Sequence, residues 1–149
     1  MIYAVIDTNV LVSALFTKNP EAATIKVLNA LLEGKIVPLY NNEIIAEYED
    51  VLHRPKFHFT PSLVDTYIEK FCQLGLSSER IHSEDTFPDP KDVVFYEVAL
   101  SKDDAYLVTG NKRHFPQTPI VVTPTEMMDI LNLDKEAGNN LNTEVSDTL

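Results

Sequence analysis

Short runs of β-branched and aromatic residues alternate along this sequence with longer segments of helical periodicity. The first run, IYAVI at residues 2–6, is continuous and ends at Asp7, a pattern typical of a strand buried on both faces. Strands that alternate with helices favour a parallel sheet, so we expect an α/β fold. The predicted strands are 2–6, 36–40, 76–82, 105–109 and 120–122, and the predicted helices are 8–16, 21–33, 43–54, 60–75, 89–101 and 124–131.

The length of the chain, 149 residues, suits one domain with a single hydrophobic core. Beyond the last predicted helix the sequence becomes polar and has no periodic apolar face. We therefore predict a domain over residues 1–132 and a polar surface tail over 133–149.

The charge balance limits which partners the protein can bind. The sequence carries 23 acidic and 12 basic residues, which gives a formal net charge of -11. Proteins that coat nucleic-acid duplexes or anionic membranes gain affinity from clustered Lys and Arg, so this composition argues against both classes. It does not exclude a nucleic-acid enzyme whose acidic residues are concentrated where cations bind.

Cysteine usage and the N-terminal sequence indicate the compartment. The single cysteine, Cys72, excludes an intrachain disulfide framework and a cysteine-built zinc site, and it fits a reducing environment. Asp7 interrupts the apolar N-terminal run, and no basic residue precedes Lys18, so no secretory signal is predicted. No stretch of about 20 apolar residues occurs that would span a membrane. We expect a cytoplasmic protein.

Acidic residues lie where a parallel α/β sheet binds its ligands, beyond the carboxyl ends of the strands. Asp7 follows the first predicted strand, where its carboxylate could cap the next helix or bind a hard divalent cation. Asp89 and Asp92 flank Pro90 and Lys91 at the start of a predicted helix. Helix capping is the simpler interpretation for both, although an Asp in the first turn can also face the ligand crevice.

The helix predicted at 43–54 offers two further candidate acids. Its apolar arc is flanked by Glu47 and Glu49, whereas its other acids point away from that arc. Periodicity does not choose between Glu47 and Glu49, and a solvated helix face is the alternative interpretation for each.

The strongest late strand ends in Thr109, Gly110 and Asn111. This segment is either a simple turn or a place where hydroxyl and amide oxygens reach the same crevice as Asp7. Two short basic clusters are candidates for phosphate contact, although such clusters are usually solvated surface. Their members are His53, Arg54, Lys56 and His58 in the first cluster, and Lys112, Arg113 and His114 in the second.

Taken together, four segments resemble the motifs of the PIN-domain nucleases. They occur in the family's order and are AVIDTNVLVSA at 4–14, EYEDVLHRPKF at 47–57, DPKDVVFYEVAL at 89–100 and YLVTGNKRHF at 106–115. The branch resembled contains toxin components of bacterial and archaeal toxin–antitoxin pairs. The resemblance implies a three-layer α/β/α sandwich with a central, mostly parallel sheet of about five strands.

The resemblance also assigns roles by position. It makes Asp7, Glu47 and Asp92 the acids that bind Mg²⁺ or Mn²⁺, and so selects Glu47 over Glu49. The family's fourth acid falls on Asn111, which the resemblance places with Asp7, Glu47 and Asp92 among the catalytic residues. Its one neutral oxygen should hold a second metal ion less tightly. The expected supporting residues are Thr8, Asn9, Asp89 and Thr109, and the expected RNA contacts are Arg54, Lys56, Lys112 and Arg113.

The function implied is a metal-dependent endoribonuclease that cleaves single-stranded RNA, acts as a toxin, is bound by an antitoxin protein and forms a homodimer. The alternative hypothesis is a catalytically silent PIN-like module that binds RNA or an antitoxin peptide. Asn111 and the low basic content motivate it. A phosphotransfer domain fits poorly, because the haloacid-dehalogenase type requires an Asp where Asn9 stands and the receiver type requires an additional acidic pair.

Overall fold

The computed structural model describes residues 1–147, with side chains described through residue 138. Its strands are β1 (Ile2–Ile6), β2 (Ile36–Tyr40), β3 (Leu76–Ser77), β4 (Tyr106–Val108) and β5 (Val121–Val122). Its helices are α1 (Thr8–Phe16), α2 (Ala23–Leu32), α3 (Asn42–Leu52), α4 (Pro61–Leu74), α5 (Val93–Ala99) and α6 (Pro124–Asp147). Turns of 3₁₀ helix lie at Pro55–Phe57, Pro90–Asp92 and Lys112–His114.

All strand pairs in the described chain are parallel, and the five strands lie in the order β3-β2-β1-β4-β5. The central strand β1 pairs with β2 through the register Ile2↔Ile36 and with β4 through Ile6↔Val108. The chain therefore builds one half of the sheet on one side of β1 and the other half on the opposite side. The predicted α/β/α sandwich with a parallel sheet of about five strands is confirmed.

This strand order creates a crevice at the carboxyl ends of β1 and β4, where the direction of winding reverses. Backbone hydrogen bonds continue to the edge of this crevice. The Asp7 N–H donates to the Val108 carbonyl at 2.9 Å, and the Thr109 N–H donates to the Val122 carbonyl at 2.9 Å. The backbone of both Asp7 and Thr109 is thus held by the sheet itself rather than by a free loop.

Helix α3 is fixed to the end of β1 by one buried residue, Tyr48. Its ring packs edge-on against Phe71 of α4, with the centroids 5.2 Å apart. Its hydroxyl donates a hydrogen bond to the Ile6 carbonyl. Because Glu47 precedes Tyr48 and Asp7 follows Ile6, this contact brings two candidate acids to the same end of the sheet.

Local capping sets the ends of the central helices. The Asn41 side chain accepts from the Ile44 N–H at 2.9 Å, so α3 begins at Asn42, and it ends at Leu52 before Pro55 rather than at residue 54. Gly75 ends α4, where a Cβ atom would lie only 2.5 Å from the Pro38 carbonyl oxygen. Glycine is therefore required at this crossing of α4 and β2.

The two largest errors in the predicted boundaries are at the ends of β3 and α6. The strand expected at 76–82 covers only Leu76–Ser77, because the following segment is held by Glu97 of α5 instead of by the sheet. The Ile81 N–H donates to the Glu97 carbonyl at 3.0 Å, and the Ser83 N–H donates to the Glu97 carboxylate at 2.7 Å. Hydrogen bonds to one helix thus replace the strand ladder.

The second wrong boundary is the end of the last helix, expected at residue 131. Helix α6 continues to Asp147, because Asp, Lys, Glu and Ala after Leu133 are compatible with a solvent-exposed helix and no proline interrupts it. The predicted division into a 1–132 domain and a 133–149 tail therefore falls inside this helix, and it stays a prediction. Residues 148 and 149 of that tail lie outside the described residues.

None of the helices described is both long and apolar enough to span a membrane.

Candidate active site

Asp7 stands at the N-cap of α1, but its carboxylate does not cap the helix. The side chain makes no hydrogen bond to the first turn. Instead, Oδ2 accepts a hydrogen bond from the Thr109 hydroxyl at 2.7 Å, across the boundary between β1 and β4. The residue is only 5% exposed. The carboxylate is therefore held at the crevice by a partner 102 positions away in sequence.

Thr109 is fully buried and orients Asp7 through a short relay of hydrogen bonds. Its hydroxyl oxygen accepts from the Asn111 backbone N–H at 3.0 Å and donates its own proton to Asp7. The Asn111 side chain makes no capping bond in the 3₁₀ turn that follows it. The turn after β4 thus fixes both the Thr109 hydroxyl and the Asn111 backbone at the crevice.

Glu47 reaches the same crevice from α3. Its Oε2 accepts a hydrogen bond from the hydroxyl of buried Thr8 at 2.5 Å, and the side chain is half-buried. Glu49 is exposed and lies toward Cys72, where its charge raises the pKa of that thiol in addition to the effect of burial. Periodicity alone left both acids open, and the structure places Glu47 beside Thr8 and Glu49 away from it.

Asp92 brings a third carboxylate, at the start of α5. Its side chain is 16% exposed. Atom Oδ2 is inaccessible to solvent and accepts no hydrogen bond from the described residues, although Nδ1 of His114 lies 3.3 Å away. Asp89 is exposed and caps the 3₁₀ turn instead, accepting from the Lys91 N–H at 3.0 Å. Of the two acids, Asp89 has the capping role and Asp92 keeps an unpaired buried oxygen.

The three carboxylates raise one another's proton affinity. Burial raises the pKa of Asp7 and outweighs the lowering by the Thr109 hydrogen bond, and the negative charge of Asp92 raises it further. Burial raises the pKa of Glu47, with Asp7 contributing. Burial raises the pKa of Asp92, with contributions from Asp89 and Glu47. Mutual repulsion of this kind marks a site that a cation would stabilise.

The donor set fits a hard divalent cation. Carboxylate oxygens dominate it, with hydroxyl and amide oxygens beside them, which is the chemistry that Mg²⁺ and Mn²⁺ prefer. Oδ2 of Asp92 is the specific observation, because this buried oxygen accepts no hydrogen bond from the described residues and has only His114 Nδ1 nearby at 3.3 Å, which is costly for a carboxylate. Within residues 1–138, however, no three His, Cys, Asp or Glu side chains converge on one point tightly enough to form a complete metal site.

The remaining predicted residues are distributed around this centre. Asn9 is exposed on the first turn of α1, and Arg113 is exposed beside Asn111. Three of the predicted RNA contacts already have partners within the protein. Arg54 forms an ion pair with Asp50 at 3.0 Å, and Lys112 forms one with Glu126 at 3.1 Å. The Lys56 ammonium lies 5.0 Å from the centroid of the Phe57 ring.

Two residues near the carboxylates were missing from the predicted site. His114 lies against Asp92, and the charge of Lys91 lowers the pKa of Glu47 against the larger effect of burial. His114 belonged to a basic cluster noted in the sequence, and its position three residues after Asn111 was the available signal. Lys91 gave no sequence signal, because its proximity to Glu47 depends on the packing of α3 beside the start of α5.

An all-parallel sheet of this order, with acids gathered beyond its central strands, defines the class as a doubly wound α/β domain with its candidate site at the switch point. The model of one family, the PIN domain, matches residues 3–113. The chain therefore belongs to the PIN domain family, whose members generally use divalent metal ions. A comparison with curated protein sequences gives no match.

Proposed function

We propose that this protein is a Mg²⁺- or Mn²⁺-dependent endoribonuclease that cleaves single-stranded RNA. The observation that carries the proposal is the group of three carboxylates, Asp7, Glu47 and Asp92, at the switch point of the sheet. Each has a raised pKa, and Asp92 keeps a buried oxygen without a hydrogen-bond donor in the described chain. Acids placed in this way are poised to gain from a bound cation.

Each residue has a distinct role in the proposed reaction. Asp7 and Asp92 would hold the cation, and Glu47 would orient the attacking water. Thr109 and Thr8 keep the Asp7 and Glu47 carboxylates in place through their hydroxyl groups. When bound, a divalent cation lowers the pKa of water and offsets negative charge at the reacting phosphate. Asn9, Asp89 and Asn111 complete the proposed set as supporting groups.

The charge of the protein favours a single-stranded substrate over a duplex. A net charge of -11 disfavours duplex binding, which gains affinity from clustered Lys and Arg. Cations lie instead in short groups near the crevice, among them Lys91 and Arg54 beside Glu47 and Arg113 beyond Asn111. Such groups suit a narrow track along one strand.

The toxin assignment rests on the sequence resemblance described above. In that proposal, the protein acts in the cytoplasm, is inhibited by a bound antitoxin protein and forms a homodimer. A specific residue favours a second candidate function, a catalytically silent module that binds RNA or an antitoxin peptide. Asn111 stands where the family has a fourth acid, and a neutral amide weakens the hold on a second cation.

The direct test is cleavage of mixed cellular RNA with Mn²⁺, with Mg²⁺ or with EDTA. Wild type should cleave with either metal and not with EDTA. Glu47→Gln should lower the rate by at least about 10-fold, because partners that orient metal-site groups are commonly worth 10–100-fold. Glu49→Gln is the matched control, since it removes an equal charge from an exposed site on the same helix, and it should cleave at the wild-type rate.

Equal rates for Glu47→Gln and wild type would remove Glu47 from the site. If wild type does not cleave and calorimetric titration shows no Mn²⁺ binding at millimolar concentration, the silent module replaces the nuclease. Metal binding without cleavage of single-stranded RNA would contradict the proposed substrate instead.

A further inference from the structure

The segment that follows α3, residues 54–59 with the sequence RPKFHF, carries a pair of stacked aromatic rings. The rings of Phe57 and Phe59 have centroids 5.5 Å apart and planes inclined by only 14°. Between them, His58 adopts a left-handed backbone conformation with φ of 56°, which is uncommon for a residue other than glycine. The backbone thus accepts an unfavourable conformation at the point where the two rings are stacked.

The two rings differ in how they are supported. Phe59 packs against the hydrophobic core, whereas Phe57 is half-buried and stacks on Phe59 without joining that core. The exposed Lys56 places its Nζ 5.0 Å from the centroid of the Phe57 ring. We call Lys56, Phe57 and Phe59 the Phe57 platform. It combines a supported aromatic face with an adjacent cation.

A groove lies beside Glu47, on the side of α3 from which the chain continues into this platform. Its charged walls are formed by Arg54, Arg80 and Lys91 and by the acids Glu43, Glu47 and Asp50. Glu47 and Arg54 are seven positions apart along α3 and its end, a separation of about 10 Å at helical rise. Arg54 lies two residues before Lys56 of the platform and pairs with Asp50 at 3.0 Å. The groove beside Glu47 therefore reaches the end of α3, where the chain continues into the aromatic pair.

We infer that the Phe57 platform is a stacking subsite for one unpaired base of the single-stranded RNA that reaches the carboxylates. This inference rests on the proposed function, because the carboxylates define which phosphate is cleaved. Base–aromatic stacking tolerates any base, since every base has a π face. The subsite selects unpaired nucleotides rather than a particular sequence.

When a base binds, it replaces the ammonium group of Lys56 on the face of the Phe57 ring. An exposed cation–π contact is weaker than the stacking of a base on an aromatic ring, so the base displaces Lys56 from the Phe57 face. The freed ammonium then binds the adjoining phosphate. A base within a duplex is stacked on its neighbours and is not available for this exchange, which explains the preference for a single strand.

The test measures binding of a fluorescein-labelled RNA of about eight nucleotides, within the usual site size for single-strand binders. Asp7→Asn is the background, so that the RNA stays intact. Phe57→Leu should weaken binding about tenfold, and Phe57→Tyr, which keeps the aromatic face, should restore it. Lys56→Gln should lower the slope of log affinity against log salt by about 0.7. Phe16→Leu, an exposed aromatic at the far end of α1, is the matched control.

An abasic scan of the same RNA identifies the stacked nucleotide. One abasic position should weaken binding as much as Phe57→Leu does, and it should have no further effect in that variant. The inference is overturned if Phe57→Leu binds as tightly as its background, or if Phe57→Leu and every abasic position act additively. Thermal melting shows whether Phe57→Leu is still folded. If it is not, RNA binding by Phe57→Tyr and the abasic scan with the parent protein test the inference instead.

Hydrolysis of bis(p-nitrophenyl) phosphate with Mn²⁺ separates this inference from the proposed function. That ester has no flanking nucleotide, so Phe57→Leu in an otherwise wild-type chain should hydrolyse it at the wild-type rate. If wild type itself fails to hydrolyse both the ester and RNA, the nuclease proposal fails, whatever the platform binds. If wild type is active but Phe57→Leu does not weaken RNA binding, only the proposal that Phe57 stacks on a base is wrong.

Discussion

Glu97 and the three candidate active-site acids are all removed from solvent to a large extent, but their electrostatic surroundings are opposite. Glu97 of α5 is 5% exposed, yet its carboxylate is fully matched, with Nε of Arg80 at 2.8 Å from one oxygen and the Ser83 N–H at 2.7 Å from the other. Burial alone would raise the pKa of Glu97, but the Ser83 and Arg80 contacts outweigh it and hold the pKa below its usual value.

The candidate active-site acids differ in what surrounds them. Asp7 and Glu47 receive one neutral hydroxyl donor each, from Thr109 and Thr8, and Asp92 has an unpaired oxygen in the described structure. Burial and mutual repulsion raise all three pKa values. Burial alone therefore does not set the direction of the pKa shift of an acid in this protein. The charges and hydrogen-bond donors around the acid set it.

Asp7→Asn should have the greatest effect on activity, because it removes a carboxylate of the candidate active site. We expect RNA cleavage to fall by at least about 100-fold, because residues that only support a metal ligand already contribute 10–100-fold. Stability in EDTA at neutral pH should not fall. The raised pKa means that the folded state binds the Asp7 proton more tightly than the unfolded state, so this group lowers stability as pH rises through its pKa, and Asn removes that cost.

The measurements are cleavage rate and melting temperature in EDTA. The matched control is Asp103→Asn, an exposed acid in the loop before β4, which should change neither quantity. A large fall in melting temperature for Asp7→Asn would show that Asp7 is a structural acid like Glu97.

The second prediction concerns Glu97, whose carboxylate is paired with Arg80 and the Ser83 N–H. Glu97→Gln should lower the free energy of unfolding by about 1–3 kcal/mol, because a buried charged hydrogen bond is lost while Arg80, 36% exposed, can still reach water. Since the pKa of Glu97 is lowered, its stabilising effect is complete above the ordinary pKa of glutamate and is lost as pH falls through the lowered value. The deficit of the variant should therefore shrink on acidification.

Urea unfolding of wild type and Glu97→Gln at about pH 7 and about pH 3 measures that change. Glu84→Gln, which removes a fully solvated acid from the same segment, should match wild type at both values. A deficit that does not depend on pH would mean that shape, not charge, explains the role of Glu97.

A smaller effect, on Mn²⁺ affinity, is expected when the hydroxyl group that holds Asp7 is removed. Thr109→Val removes the hydroxyl that donates to Asp7, so we expect Mn²⁺ affinity to fall by about 10-fold, the lower end for outer partners of a metal ligand. Thr118→Val is the control, because the buried Thr118 hydroxyl has no hydrogen-bond partner in the described residues. Calorimetric titration compares the two, and equal affinities would show that Thr109 does not position Asp7.

Much of the fold followed from local patterns. The run at β1, the cap at Asn41 and the breaks at Pro55 and Gly75 each act within a few residues, so their positions were predictable. The end of α6 was not, because an exposed helix needs no apolar face to continue. The early end of β3 was not predictable either, because it depends on Glu97, which is distant in sequence. A lone charge inside the apolar run VVFYEVA was the one signal that Glu97 is buried and paired.

By itself, the sequence determined the alternation of strands and helices and placed Asp7 at the end of the first strand. Its motifs also identified Asp92 and Glu47 as candidate acids. Only the tertiary structure decided what each acid contacts. The order of strands brings Thr109 to Asp7, and the packing of α3 brings Glu47 to Thr8 while it leaves Glu49 exposed. The reason is physical: local propensity acts over a few residues, whereas the charge balance of a buried carboxylate depends on groups that only folding brings together.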